Sequence, residues 1–195
     1  VRADLRDAAS AQALAQQALS VTGAVHILVD NAGVFPFAAT GDTMEETFDI
    51  AYNVNVKAPL FLVAALVAAM VERGNGVIVN VTSVVAQKGV PGATAYPSSK
   101  AALDELSRIW AVEYGATGVR VNTVAAGIIE TEGLQAELGD YRTTFLAITP
   151  AGRVGRRSSA WSTTRPACAS AYSSLRSPAS SSSASPVCSA RMGHA

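Results

Sequence analysis

The first 150 residues contain no cysteine. The only two, Cys168 and Cys188, lie near the end of the chain, and such a pair makes no disulfide framework. A cysteine-free body fits a reducing compartment, so a cytoplasmic location is expected. No CxxC and no HExxH occurs, and no metal site is expected. No apolar run reaches the ~20 residues that a membrane span needs. The run from Ala58 to Val71 is bounded by Lys57 and by Glu72-Arg73, and reads as a buried or interface helix with no membrane partner. No signal-peptide pattern opens the sequence, and no internal repeat of fixed period is visible.

What is present suits one domain: 195 residues, 49% of them hydrophobic, enough for a buried core. The formal net charge of zero hides a split. Residues 1–150 carry 9 Lys/Arg against 15 Asp/Glu, whereas residues 151–195 carry 6 Arg and no acid. That last stretch also holds 13 Ser and shows neither a helical nor a strand period. Low-complexity segments of this kind stay irregular. A basic tail can attract nucleic acid or an anionic surface, but no nucleic-acid partner is expected.

Upstream of the tail, apolar strands alternate with helices. Val1-Arg2-Ala3-Asp4 reads as the end of a strand. Asp7 caps a helix running to about Ser20. Val25 to Val29 reads as a strand buried on both faces, followed by a loop from Gly33 to Gly41. Thr43 is placed to cap a helix beginning Met44-Glu45-Glu46, whose acids favour the first turn. A second helix runs from about Val54 to Arg73 and stops at Gly74. A strand over Gly76–Thr82, a helix over Ala95–Tyr114 and a strand over Val119–Val124 follow. Short helices are expected over 132–138 and 141–146. This alternation predicts an α/β fold with a parallel sheet of βαβ units.

Chemistry concentrates in the run Tyr96-Pro97-Ser98-Ser99-Lys100, with Ser83 thirteen residues before the tyrosine. Residues four apart share a helix face. A free tyrosine has a pKa of about 10 and is a poor base at neutral pH. A neighbouring cation favours phenolate and is expected to lower that value. The tuned phenol can exchange a proton with an alcohol or ketone oxygen. Ser83 closes the apolar run Val77–Thr82, at the carboxyl end of a strand, where ligands bind in open α/β sheets. Its hydroxyl can hydrogen-bond the substrate oxygen, or simply its own backbone. His26, in an apolar strand, reads as a core histidine.

Other motifs flank this group. Asp30-Asn31-Ala32-Gly33 follows an apolar strand, Asn53-Val54-Asn55-Val56 opens the apolar helix, and Ala126-Gly127-Ile128-Ile129-Glu130-Thr131 follows the strand at Val119–Val124. In this order and spacing the features resemble the short-chain dehydrogenase/reductase family in its single-domain YxxxK form, over residues 1–155. The resemblance implies an incomplete doubly wound Rossmann-type parallel sheet with a low-complexity C-terminal tail. It implies catalytic roles for Asn55, Ser83, Tyr96 and Lys100, with Asn55 holding a water that links Lys100 to solvent. It implies NAD or NADP as cofactor, held by Asp4, Asn31, Ala32, Gly33, Tyr96, Lys100, Gly127, Ile129 and Thr131. Asn31-Ala32-Gly33 can also be an ordinary turn, and Asp4 a strand-end cap. Ala126 stands where the family usually has proline.

The implied reaction interconverts a secondary alcohol and a ketone, on a 3-oxoacyl, hydroxysteroid or sugar-alcohol type of substrate, in a protein that forms homotetramers or dimers. Two family features are missing from the text. No glycine-rich turn opens the fold, which points to the absence of two βα units, on the order of 50 residues. After Arg153-Val154-Gly155 the expected helix, strand and glycine pair give way to the Ser/Arg-rich segment. The division expected is therefore 1–155, a partial dinucleotide-binding and catalytic domain, and 156–195, an irregular tail produced by a frame shift near residue 155. The alternative to an enzyme is a non-catalytic truncated remnant unable to bind cofactor. The 195-residue chain by itself is expected to be inactive.

Overall fold

A computed structural model describes residues 1–130, 146, 149, 153–156 and 187–189. It divides into two units: residues 1–125 with 185–195, and residues 126–184.

In the first unit, helix α1 spans Ala8–Thr22. It starts where Asp7, in extended backbone, accepts hydrogen bonds from the Ser10 amide and hydroxyl at 2.8 Å each. It stops at Gly23, whose φ of 71° suits glycine. Strand β1 spans Ile27–Asp30. A continuous helix follows, built of α2 (Glu45–Tyr52), a π turn over Asn53–Lys57, and α3 (Ala58–Glu72). Strand β2 (Gly76–Ser83), helix α4 (Ala95–Tyr114) and strand β3 (Val119–Ala126) complete the alternation.

The sheet runs β3-β2-β1-β6, where β6 is Val187–Ser189. β1 pairs in parallel with β2, from Ile27 opposite Val77 to Asp30 opposite Asn80. It also pairs in parallel with β6, from Ile27 opposite Val187 to Val29 opposite Ser189. Successive right-handed crossovers that move in one direction across a sheet lay their helices on one face. The core accordingly forms there. Leu28, Ile78, Val119 and Val121 of the strands meet Leu62, Leu66 and Met70 of α3, Leu103 and Trp110 of α4, and Leu14 and Ala18 of α1. On the opposite face Ile27, Val29, Val77, Val79 and Val81 are only half-buried.

Several expectations are corrected by this arrangement. Val1–Asp4 forms no strand: it pairs with none of the described strands, and Asp4 is ion-paired with Arg6. β1 is covered on one face rather than two. The Ser/Arg-rich stretch, expected to lack strands, supplies β6 beside β1. Thr43 does not cap α2. Met44 occupies that position, and the Thr43 hydroxyl donates to the Ala39 carbonyl at 2.8 Å. The expected short apolar helix belongs to a longer one, Glu45–Glu72, which by length and composition alone could cross a membrane. Half of its most apolar window is packed inside the protein. The segments 132–138 and 141–146 lie outside the described residues except Leu146, which is helical.

In the second unit, β4 (Ile129–Glu130) pairs in parallel with β5 (Gly155–Arg156).

Candidate active site

The site sits where β2 ends and α4 begins. Ser83 is 7% exposed and starts the 3-10 turn Val84–Gln87, its Oγ accepting from the Val85 amide at 3.4 Å. The Ser83 hydroxyl lies near the Tyr96 phenol, in the first turn of α4, and favours its ionised form. Burial pushes the phenol above its ordinary pKa, and the neighbouring Ser83 hydroxyl draws it partly back. The expected lowering by Lys100 is thus corrected: the downward pull comes from Ser83, and burial outweighs it. Phe35 and Phe37 flank the ring, with centroids 6.3 Å and 6.4 Å from it.

Lys100 is 4% exposed, one turn along α4. Its Nζ donates to the Val81 carbonyl at 2.9 Å. Burial drives its pKa down to about 8, and the charge of Asp30 opposes that fall. Asp30 ends β1, is 5% exposed, and is pushed up to about 7 by burial, with Lys100 pulling the other way.

Asn55 projects from the π turn and is fully buried. Its Nδ2 donates to the Val34 carbonyl at 2.8 Å and to Ser99 Oγ at 2.9 Å, while its Oδ1 accepts from the Val34 amide at 2.9 Å. Asn53, two residues earlier, is only half-buried. Gly33 passes between these groups: a Cβ there would lie 3.1 Å from both Asn55 Oδ1 and Lys100 Nζ.

The structure therefore brings together Ser83, Tyr96, Lys100, Asn55 and Gly33. Ala32 packs against the core and Asn31 is exposed. Asp4 is engaged by Arg6, which holds its carboxyl below the usual range. Gly127 is exposed and Ile129 opens β4. Thr131 lies outside the described residues. Sequence reasoning missed Phe35, Phe37, Asp30 and Ser99. The pair Phe35-Pro36-Phe37 in a loop after a strand was a usable signal, since loop aromatics seldom lack a packing partner. Among the described residues, no group of three or more His, Cys, Asp or Glu could hold a metal.

Chemically, this is a neutral phenol beside a hydroxyl, with a buried amine one helical turn away. Such a set can hand a proton to an oxygen and take it back.

A family model described as short chain dehydrogenase matches residues 1–141. The chain is 39% identical over 134 residues to a 3-oxoacyl-[acyl-carrier-protein] reductase of Thermotoga maritima, covering 69% of this chain and 54% of that protein. It is 36% identical over 151 residues to a 3alpha-hydroxysteroid dehydrogenase of Mediterraneibacter gnavus, covering 77% of this chain and 60% of that one. Among solved structures, a blue fluorescent protein from a metagenomic library in complex with NADPH superposes with a TM-score of 0.72 at 33% identity, covering 79% of this chain and 62% of that chain. The chain spans about half the length of the curated relatives it matches.

Proposed function

The chain belongs to the short-chain dehydrogenase family, and from that premise we propose that it is the catalytic portion of an NAD(P)-dependent oxidoreductase interconverting a secondary alcohol and a ketone. The observation that carries the reading is the buried group that gathers where β2 meets α4: Ser83 beside the Tyr96 phenol, and Lys100 one helical turn behind it.

In the reductive direction Tyr96 gives its phenolic proton to the carbonyl oxygen. Ser83 bonds that same oxygen and stabilises the charge developing on it. Lys100 spends one of its three N–H groups on Val81 and keeps two for a ribose diol. Asn55 fixes the loop at Val34, so that Asn31, Ala32 and Gly33 run along the cofactor. Gly33 fits that role, because any side chain there would fill the gap beside Lys100. The nicotinamide, when bound, supplies or accepts the hydride. Asp4, Gly127, Ile129 and Thr131 complete the proposed cofactor contacts.

A 3-oxoacyl or hydroxysteroid type of substrate is favoured by the relatives above. Phe35 and Phe37 would offer such a substrate an apolar wall next to the phenol. The cysteine-free body supports a cytoplasmic location, and the exposed apolar residues of the long helices support a homo-oligomer. The second reading, a chain that binds no cofactor, is favoured by the ion pair with Arg6 that already engages Asp4, one of the proposed cofactor contacts. Residues 1–155 and 156–195 remain the proposed division.

Titrating NADH and NADPH into the 195-residue chain separates the two readings. Saturable micromolar binding supports the enzyme, and no binding supports the remnant. In a form that turns over, Tyr96→Phe is expected to lower kcat by about 100-fold or more with cofactor affinity retained. Near-parental turnover in that variant would overturn the assignment.

A further inference from the structure

Two buried side-chain oxygens find no hydrogen-bond partner among the described residues: Asp30 Oδ2 and Asn80 Oδ1. Asp30 and Asn80 are register partners on β1 and β2. Paired positions on adjacent parallel strands project from one face of the sheet. Here that face carries α4: Asn80 Nδ2 donates to Ser107 Oγ at 2.7 Å, and Ser107 donates in turn to the Leu103 carbonyl at 2.7 Å. Lys100 reaches the same layer through the carbonyl of Val81, the residue after Asn80. Asp30 is 5% exposed and Asn80 fully buried.

Two acceptor oxygens cannot satisfy each other, and a buried acceptor left unpaired costs about 1–3 kcal/mol. A proton on Asp30 turns the juxtaposition into a bond. We propose that Asp30 is a positioning residue for Lys100: as a neutral acid it donates to Asn80 Oδ1, and as a carboxylate it holds the charge on the Lys100 ammonium. This rests on the reading of Lys100 as part of the reaction site. Asp30 then decides over what pH range Lys100 stays a cation beside Tyr96.

The surroundings leave Asp30 in command. Tyr96 is the other titratable group near Lys100, on its own helix. β2 contributes no titratable side chain, only the polar Asn80, Thr82 and Ser83 with its backbone, and the π turn only the Asn55 amide. Asp104, one turn further along α4, is ion-paired with Arg108. Asp30 is the charged group that acts on Lys100, and Lys100 the one that acts on Asp30. The two titrate close together, at about 7 and about 8.

The test is an NMR titration of the 195-residue chain with 13C-labelled lysine. The sequence has three lysines, Lys57, Lys88 and Lys100, so Lys100→Arg assigns the signal. In Asp30→Asn the Lys100 midpoint should fall by about one pH unit, and in Asp104→Asn it should stay in place. An unmoved midpoint in a folded Asp30→Asn chain overturns the proposal. Should that variant fail to fold, 13C-labelled aspartate in the parent chain gives the second reading. One of the seven aspartates should titrate about three units above its ordinary value of ~4, and a set that all titrates near ~4 overturns the proposal. Neither measurement needs turnover. An active Tyr96→Phe enzyme would remove the reaction while leaving this coupling intact, and an unmoved Lys100 would do the reverse.

Discussion

Asn55 grips the backbone of Val34 from both sides, donating to its carbonyl at 2.8 Å and accepting from its amide at 2.9 Å. One side chain thereby ties the π turn to the loop after β1, twenty-one residues away in sequence. Asn55→Ala leaves both groups of Val34 and the Ser99 hydroxyl short of a partner. Because Val34 is half-buried and water can replace part of the loss, the expected cost is about 1–3 kcal/mol. Urea unfolding of the variant measures it, and an unchanged midpoint would show that the clamp contributes nothing to stability.

Stability should dip near neutral pH. Asp30 has a folded pKa raised to about 7, above its unfolded value. The stability it contributes is fully present below the unfolded pKa, ~4, and is lost as pH rises through about 7. Lys100 has a folded pKa lowered to about 8. Its cost applies below that value and is relieved as pH climbs toward the unfolded pKa, ~10.4. The minimum therefore lies between about 7 and about 8. Asp30→Asn should flatten the acid-side decline and be at least as stable as the parent at the minimum. Thermal melts across the pH range read both, and a parent chain growing steadily more stable from acid to neutral pH would contradict the linkage.

Gly118 marks the entry to β3. Its φ is 86°, and a Cβ there would lie 2.1 Å from the Gly74 carbonyl oxygen. Neither the backbone angle nor the backbone neighbour can give way cheaply. Gly118→Ala should cost about 3 kcal/mol or more, whereas Gly41→Ala, facing open space, should cost under about 1 kcal/mol. Equal melting temperatures for the two variants would refute this.

Self-association should run through the long helices. Ile109 is 49% exposed and Val112 86% exposed on α4, and Leu60 of α3 is also exposed. Apolar residues grouped on packed helices mark contact surfaces. Ile109→Glu with Val112→Glu should shift light-scattering mass toward the monomer, and a parent chain that is already monomeric at high concentration would remove the basis for the expectation.

The parts of the fold legible in the sequence were those with long, unambiguous periods. Helix α4 occupies the span read from its apolar spacing, and β2 differs by one residue. Asp7 starts α1 as its residue type suggests, whereas the helix runs past Ser20 to Thr22 before Gly23 stops it. The misreadings share another cause. Three residues of β6 are too few to carry a period. The π turn changes hydrogen bonding without changing which residues are apolar. Asp4, expected as a cofactor contact or a strand-end cap, is ion-paired with Arg6 two residues on, a local contact that no period announces. In the site, Tyr96, Lys100 and Ser83 were visible as a spacing pattern. Asp30 was not, because an acid at a strand end gives no sign of being buried until the helix that covers it is placed. For the same reason the direction of the Tyr96 shift was misjudged: spacing reveals a neighbouring cation but not the amount of water excluded.

The π turn at Asn53–Lys57 makes residue number itself a constraint. Each α-helical residue advances about 100° around the axis. The wider turn resets the phase between α2, whose neighbour is α4, and α3, which lies along α1. A single-residue deletion anywhere in those five positions would rotate α2 by about a quarter of a circle relative to α3. The stacked Phe48 and Tyr52 would swing to a different azimuth, and Asn55 would leave its opening onto Val34. Here substitutions alter individual contacts, whereas an insertion or deletion would put the whole helix out of step.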